Sequence, residues 1–131
     1  MALVIDLKPE EKVLVGTAVI TNDKQRTKLH IAGDAPILRE KDVLFEEDAD
    51  TACKQIYFII QCMYLARNPR EYHSKYFALI KQVLQAAPST SPLFVQINAD
   101  IIKGHYYKAL KRAQDLIEHE NAIINASVEA V

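Results

Sequence analysis

Two rhythms of apolar and polar residues run along this chain, and one replaces the other near residue 45. Before it, short β-branched runs are broken by glycine and proline. Leu3-Val4-Ile5 reads as a first strand, stopped by Lys8-Pro9-Glu10. Lys12 to Thr21 is rich in valine, isoleucine and threonine, with Gly16 as a bend or bulge in its middle. Asn22-Asp23-Lys24 is a turn signal. From Arg26 to Ala32 the residues alternate, so Thr27, Leu29 and Ile31 face one way and Arg26, Lys28 and His30 the other. Gly33-Asp34 and Ala35-Pro36 turn the chain, and Ile37 to Leu44 returns. The expectation is a small antiparallel meander or barrel of about five short strands.

After residue 45 the period becomes helical. Thr51 to Ala66 is apolar on nearly all sides, the mark of a central buried helix, and Asp50 or Thr51 can cap its start. Asn68-Pro69-Arg70-Glu71 predicts an N-cap with proline at the first helical position, opening a helix to about Ala86. Its stripe is Tyr72, Tyr76, Ile80, Val83 and Leu84. A loop follows at Pro88 to Pro92. Ser91-Pro92 starts a third helix, with Leu93, Ile97 and Ile101 in line and Gly104 at its end. The last helix is predicted over Tyr106 to Ala126, with Leu110, Ala113, Ile117 and Ile124 inward. The fold class is α+β, a small β unit over residues 1–45 followed by a bundle of about four helices over 46–131.

Composition narrows the function. Half the 131 residues are apolar, enough to fold without disulfide or metal, and the net charge of −1 gives no global pull toward nucleic acid or membrane. Cys53 and Cys62 lie nine positions apart on one predicted helix. That is roughly 13 Å of axial rise, too far for a disulfide, so reduced thiols are expected. The N-terminal residues lack the basic and apolar regions of a signal peptide. The longest apolar stretch, Ile56 to Ala66, is interrupted by Gln61 and too short to span a bilayer. These features predict a soluble cytoplasmic protein that does not enter a membrane.

Catalytic signals are missing. Gly16, Gly33 and Gly104 are scattered, so there is no phosphate loop, and no zinc-ligand spacing occurs. His30, His73, His105 and His119 fall in four different elements. Both cysteines sit on the most apolar helix, where burial makes a thiol inert. No enzyme, cofactor or metal is expected.

Two polar features carry candidate binding chemistry. Lys24, Arg26, Lys28 and His30 form one row, and Arg39 and Lys41 on the following strand would add a second beside it. Alternating bases suit phosphate contacts, and an arginine fork reads base edges of unpaired RNA. Yet seven acids balance seven bases across residues 1–45, and a salt-bridged, solvated sheet has the same pattern. The second feature is Tyr106-Tyr107 followed by Lys108, Lys111 and Arg112, which fits a partner surface. Tyr72 and Tyr76, four apart, fit a bundle core better.

Several strings in these elements resemble the FlbT family of bacterial flagellar regulators. They are Ala18-Val19-Ile20-Thr21-Asn22-Asp23, Gly33 to Asp42 (GDAPILREKD), Met63-Tyr64-Leu65-Ala66, Tyr76-Phe77-Ala78-Leu79 and Gln85 to Thr90 (QAAPST). The likeness runs in order from Met1 to about Ala126. It implies post-transcriptional repression, through association with the 5′ untranslated leader of flagellin messenger RNA and promotion of its decay. It also implies a companion regulator, FlaF, as partner, with flagellin itself as a further candidate.

The β unit separately resembles the carbon-storage regulator CsrA, in Lys12 to Gly16, Leu29-His30-Ile31, Ala35-Pro36 and Leu38-Arg39-Glu40. That likeness implies a strand-exchanged homodimer that binds message leaders, with Arg39 at the position of that family's key arginine. The basic residue which CsrA carries at the end of its first strand is replaced here by Leu7, beside Asp6. Together these readings nominate Lys24, Arg26, Lys28, His30, Arg39 and Lys41 for RNA, with Arg39 discriminating bases. Tyr106, Tyr107, Lys108, Lys111 and Arg112 are nominated for a protein partner. The rival expectation is a pure protein-interaction module whose effect on messages is indirect.

Overall fold

The computed structural model describes residues 2–129, with side chains from Leu3 to Ser127. The fold is α+β, with five strands in two small sheets followed by four α-helices. It divides into two compact units, residues 1–43 and 44–131.

In the first unit, β1 (Ala2–Leu7) pairs antiparallel with β4 (Thr27–Ala32). The second sheet has the order β3-β2-β5, with β2 (Lys12–Val15) between β3 (Ala18–Thr21) and β5 (Ile37–Arg39). The sheets are not closed into a barrel, and only β2 and β3 pair as sequence neighbours. The predicted meander therefore gives way to longer-range pairings. The reason is burial: Ile5 and Leu7 of β1 and Val13 of β2 form the core, with Leu29, Ile31 and Ile37 packed against them. Sequential pairing alone would not bring those faces together.

The run Lys12 to Thr21 is not one bent strand but a hairpin. Gly16 and Thr17 form its two-residue loop, and Gly16 has φ +58. Glycine at the first central position with positive φ is the pattern of a type II′ turn. Asn22 ties the next bend together: its amide donates to the carbonyls of Leu7 (3.2 Å), Lys8 (2.8 Å) and Gln25 (2.9 Å). The expected strand from Ile37 to Leu44 stops at Arg39. Arg39-Glu40-Lys41-Asp42 offers no apolar alternation, and the chain turns in a 3-10 helix over Glu40–Asp42.

In the second unit, α1 (Ala52–Leu65) is central and packs on α2 (His73–Ala86) and α4 (Tyr106–Glu129), while α3 (Ser91–Ile102) packs on α4. Ile56, Ile59, Ile60 and Met63 of α1, Tyr76 and Ile80 of α2, Phe94, Ile97 and Ile101 of α3, and Leu110 and Leu116 of α4 are buried. Fully burying each such side chain contributes about 1.5–3 kcal/mol before entropy is counted. Thr51 caps α1 by accepting the Lys54 N–H at 3.2 Å. The predicted Asn68 cap is absent. Asn68 precedes proline and sits at φ −124, ψ 84, outside the helical region, with no side-chain cap bond, and a 3-10 turn over Pro69–Tyr72 leads into α2. A second 3-10 turn, Pro88–Thr90, occupies the predicted loop. Gly104, at φ +77, ends α3. On α4, Leu116 is buried, whereas Ile124 is 45 % exposed rather than inward. Residues 121–127 are all exposed, and Ile123 and Ile124 line an open hollow with Val83 and Ala86 of α2 instead of filling the core.

Candidate nucleic-acid interface

Register decides where each nominated base points. In β1–β4, Asp6 stands opposite Lys28 and Val4 opposite His30, while Ile5 faces Leu29 and Leu3 faces Ile31. Directly opposed residues share a face. Lys28 and His30 thus lie with Asp6 on the face away from the Ile5–Leu29 core, and both are exposed. Arg26, just before β4, lies on the same side: its Nε donates to Asp6 Oδ1 at 3.0 Å and its Nη2 to Oδ2 at 3.1 Å. Lys24 is exposed in the preceding bend.

The second row does not form. Arg39 sits on β5, which pairs with β2, so it is not on a strand beside β4. Lys41 is in the 3-10 turn rather than two places along a strand. Arg39 shares a face with Val13, its register partner, at the exposed end of β5. The two groups of bases are linked through Asp6. The Arg26 hydrogen bond holds the Asp6 carboxyl below its usual range, and the charges of Arg26, Lys28 and Arg39 add to that effect. Three cations from both sheets thus act on one carboxylate, and only Arg26 pairs with it. Lys24, Lys28, His30, Arg39 and Lys41 make no ion pair among the described residues.

Asp6 is the residue that sequence reading missed at this surface. It lies between Ile5 and Leu7 in an apolar strand, and only the β1–β4 register brings it to Lys28.

The nominated protein-facing residues separate into engaged and open ones. Tyr106 is half-buried, its hydroxyl 3.1 Å from His73 Nε2. Tyr107 is exposed, its ring 5.4 Å from that of Tyr64, with Lys111 Nζ 5.3 Å from its centre. Lys108 is exposed. Arg112 is committed inside the unit instead: its Nε lies 2.7 Å from Asp100 Oδ2 and its Nη1 donates to Gln96 at 2.6 Å. That Asp100 oxygen is close enough for an ion pair but takes no well-directed hydrogen bond. Tyr76 is buried, with its hydroxyl donating to Asn98 at 2.6 Å, and Tyr72 is half-buried.

No group of three or more His, Cys, Asp or Glu able to hold a metal occurs among the described residues. No helix there is long and apolar enough to cross a membrane. Burial and the neighbouring Glu120 push the Cys53 thiol up to about 12, and burial likewise raises Cys62, so neither is a poised nucleophile.

Comparison with known proteins converges on one family. No solved structure matches the chain. The probable flagellum biosynthesis repressor protein FlbT 1 of Bradyrhizobium diazoefficiens is 44 % identical over 124 residues, covering 94 % of this chain and 85 % of its own. The probable flagellum biosynthesis repressor protein FlbT of Rhodopseudomonas palustris is 41 % identical, covering 95 % and 99 %. The flagellum biosynthesis repressor protein FlbT of Caulobacter vibrioides is 29 % identical, covering 92 % and 88 %. The family model for flagellar protein FlbT matches residues 3–124, which takes in both sheets and most of the bundle, and the chain belongs to the FlbT family.

Proposed function

We propose that this chain represses flagellin synthesis by binding the 5′ untranslated leader of flagellin messenger RNA and promoting its degradation. Its relatives carry the name flagellum biosynthesis repressor, which supports the repression. The observation that supports RNA as the target is the arrangement at Asp6: its carboxylate pairs with Arg26, while Lys28 opposite it on β4 and Arg39 on β5 are exposed and make no ion pair among the described residues. Phosphate contacts from Lys24, Lys28 and Lys41 would set register, and Arg39 would read a base edge. Decay would be carried out by another enzyme acting on the bound message.

Gel-shift titration of a flagellin leader against Lys28→Ala and Arg39→Ala tests this reading. Each substitution weakens binding about five- to tenfold without shifting the melting temperature, and affinity falls as salt is added. Unchanged affinity in both variants removes the site.

A second reading has the helical unit bind FlaF or flagellin, with messages affected indirectly. An apolar hollow of about 420 Å³ between α1, α2 and α4 favours it, lined by Val83, Ala86, Ala87, Ile123 and Ile124 among others. Calorimetry with FlaF and with the leader separates the two readings. Tight protein binding with no RNA binding at moderate salt decides for the second.

A further inference from the structure

The free edge of the β3-β2-β5 sheet is built to receive a strand. All four residues of β3 are exposed, with Val19 at 59 % and Ile20 at 38 %. The Asn22 N–H bonds the Glu11 carbonyl across the hairpin, so by alternation Ile20 and Ala18 also direct their backbone groups toward β2. Val19 and Thr21 then direct theirs outward, and neither group has a hydrogen bond among the described residues. Ile20 shares the face of its register partner Val13, which belongs to the core. The apolar face thus runs off the sheet at Ile20.

Edge strands in monomers are commonly protected by charge, proline, a bulge or extreme shortness. β1 carries Asp6, β4 carries Lys28, and β5 has three residues. β3 is short at four residues, but from Gly16 to Asn22 it carries no charged residue and no proline.

We propose that β3 is a homodimerisation edge, pairing antiparallel with β3 of a second copy about a twofold axis through Ile20. The outward backbone groups of Val19 and Thr21 allow this register. Val19 exchanges hydrogen bonds with the partner's Thr21, Thr21 does so with the partner's Val19, and the two Ile20 side chains meet on the axis. The edge carries no charge of its own from Gly16 to Asn22. Asp23 and Lys24, the first charged residues beyond it, fall opposite the partner's Thr17 and the partner's Gly16, so no like charges meet. Pairing joins two three-stranded sheets into one of six and covers Ile20 on its core face. The contact is small, so the dimer forms and dissociates with concentration.

Sedimentation or light scattering of the full chain over a wide concentration range shows a monomer–dimer equilibrium. Val19→Pro removes an outward donor and leaves the ladder to β2 intact, so it shifts the chain to monomer at least tenfold in concentration with its helical circular dichroism unchanged. As a test independent of that variant's folding, Ile20→Cys places two thiols across a non-hydrogen-bonded pair, about 4.5 Å apart at Cα, and oxidises to a covalent dimer. Ala18→Cys and the unmodified chain, which has only Cys53 and Cys62, do not. A chain that stays monomeric throughout overturns the proposal and leaves the edge to a strand from another protein. Dimer persisting in Val19→Pro, or equal crosslinking through Ala18→Cys, overturns it too.

Discussion

Glu120, near the middle of α4, accepts the backbone N–H of Cys53 at 3.1 Å in the first turn of α1, and its other oxygen accepts the hydroxyl of Thr51. The first N–H groups of a helix have no partner within it, and the helix dipole makes that end positive. A carboxylate from 67 residues away therefore completes the start of the central helix. Glu120→Ala removes both acceptors and should cost about 1–2 kcal/mol in chemical denaturation. Glu120→Gln keeps an acceptor but not the charge and should cost less than half as much. Equal losses would mean that the charge carries the whole effect and a neutral acceptor contributes nothing.

The same carboxylate bears on Cys53. Burial first, then the charge of Glu120 and a hydrogen bond to it, push the thiol from an ordinary 9.0 up to about 12. Between those values the unfolded chain has lost a proton which the folded chain retains. Stability from this group is therefore fully present below pH 9.0 and falls as pH rises through that window. Denaturant unfolding on either side of pH 9.0 should show this loss, with a shallower slope in Cys53→Ala. Thiol labelling of the folded protein near neutral pH should be slow, and a fast stoichiometric reaction at Cys53 would contradict the burial.

Gln61 is the polar interruption in the most apolar helix, and it has a defined partner. Its Oε1 accepts the Leu44 N–H at 2.8 Å and its Nε2 donates to the Leu44 carbonyl at 3.0 Å, while the side chain is 5 % exposed. Gln61→Leu strands both backbone groups and should cost about 2–3 kcal/mol, although it makes the helix more hydrophobic. Gln61→Glu opposes a carboxylate to a carbonyl oxygen unless it is protonated. Its folded-state pKa should be raised, so its deficit relative to the parent chain should shrink as pH falls. A deficit independent of pH would show that the carboxylate has turned away from Leu44.

These contacts mark where sequence reading stops. The change of rhythm near residue 45, the alternation of β4, the Thr51 cap, Pro92 at the start of α3 and Gly104 at its end were legible because each depends on neighbours within a few positions. Strand partners were not. Pairing β1 with β4 rather than with β2 follows from which apolar faces can be covered together, and Ile5 against Leu29 is a long-range fact. The same limit hid Asp6 beside Arg26, displaced Arg39 and Lys41 from the row beside β4, and assigned Ile124 inward where it lines an open hollow.

Arg112 shows the cost of reading a charged run as open surface. Its guanidinium lies against Asp100, which is 5 % exposed on α3, and also donates to Gln96. Removing a partner from a buried pair leaves an uncompensated charge, which is far worse than removing both. Arg112→Ala should therefore cost about 2–3 kcal/mol, the arginine being partly solvated. Asp100→Asn in the same chain should recover at least half of that loss, and the double-mutant cycle gives the coupling directly. Lys108→Ala, on the same helix and exposed, should leave stability within about 0.5 kcal/mol of the parent. If the two single losses simply add, Asp100 and Arg112 are separate surface charges and Arg112 returns to the set of residues free to meet a partner.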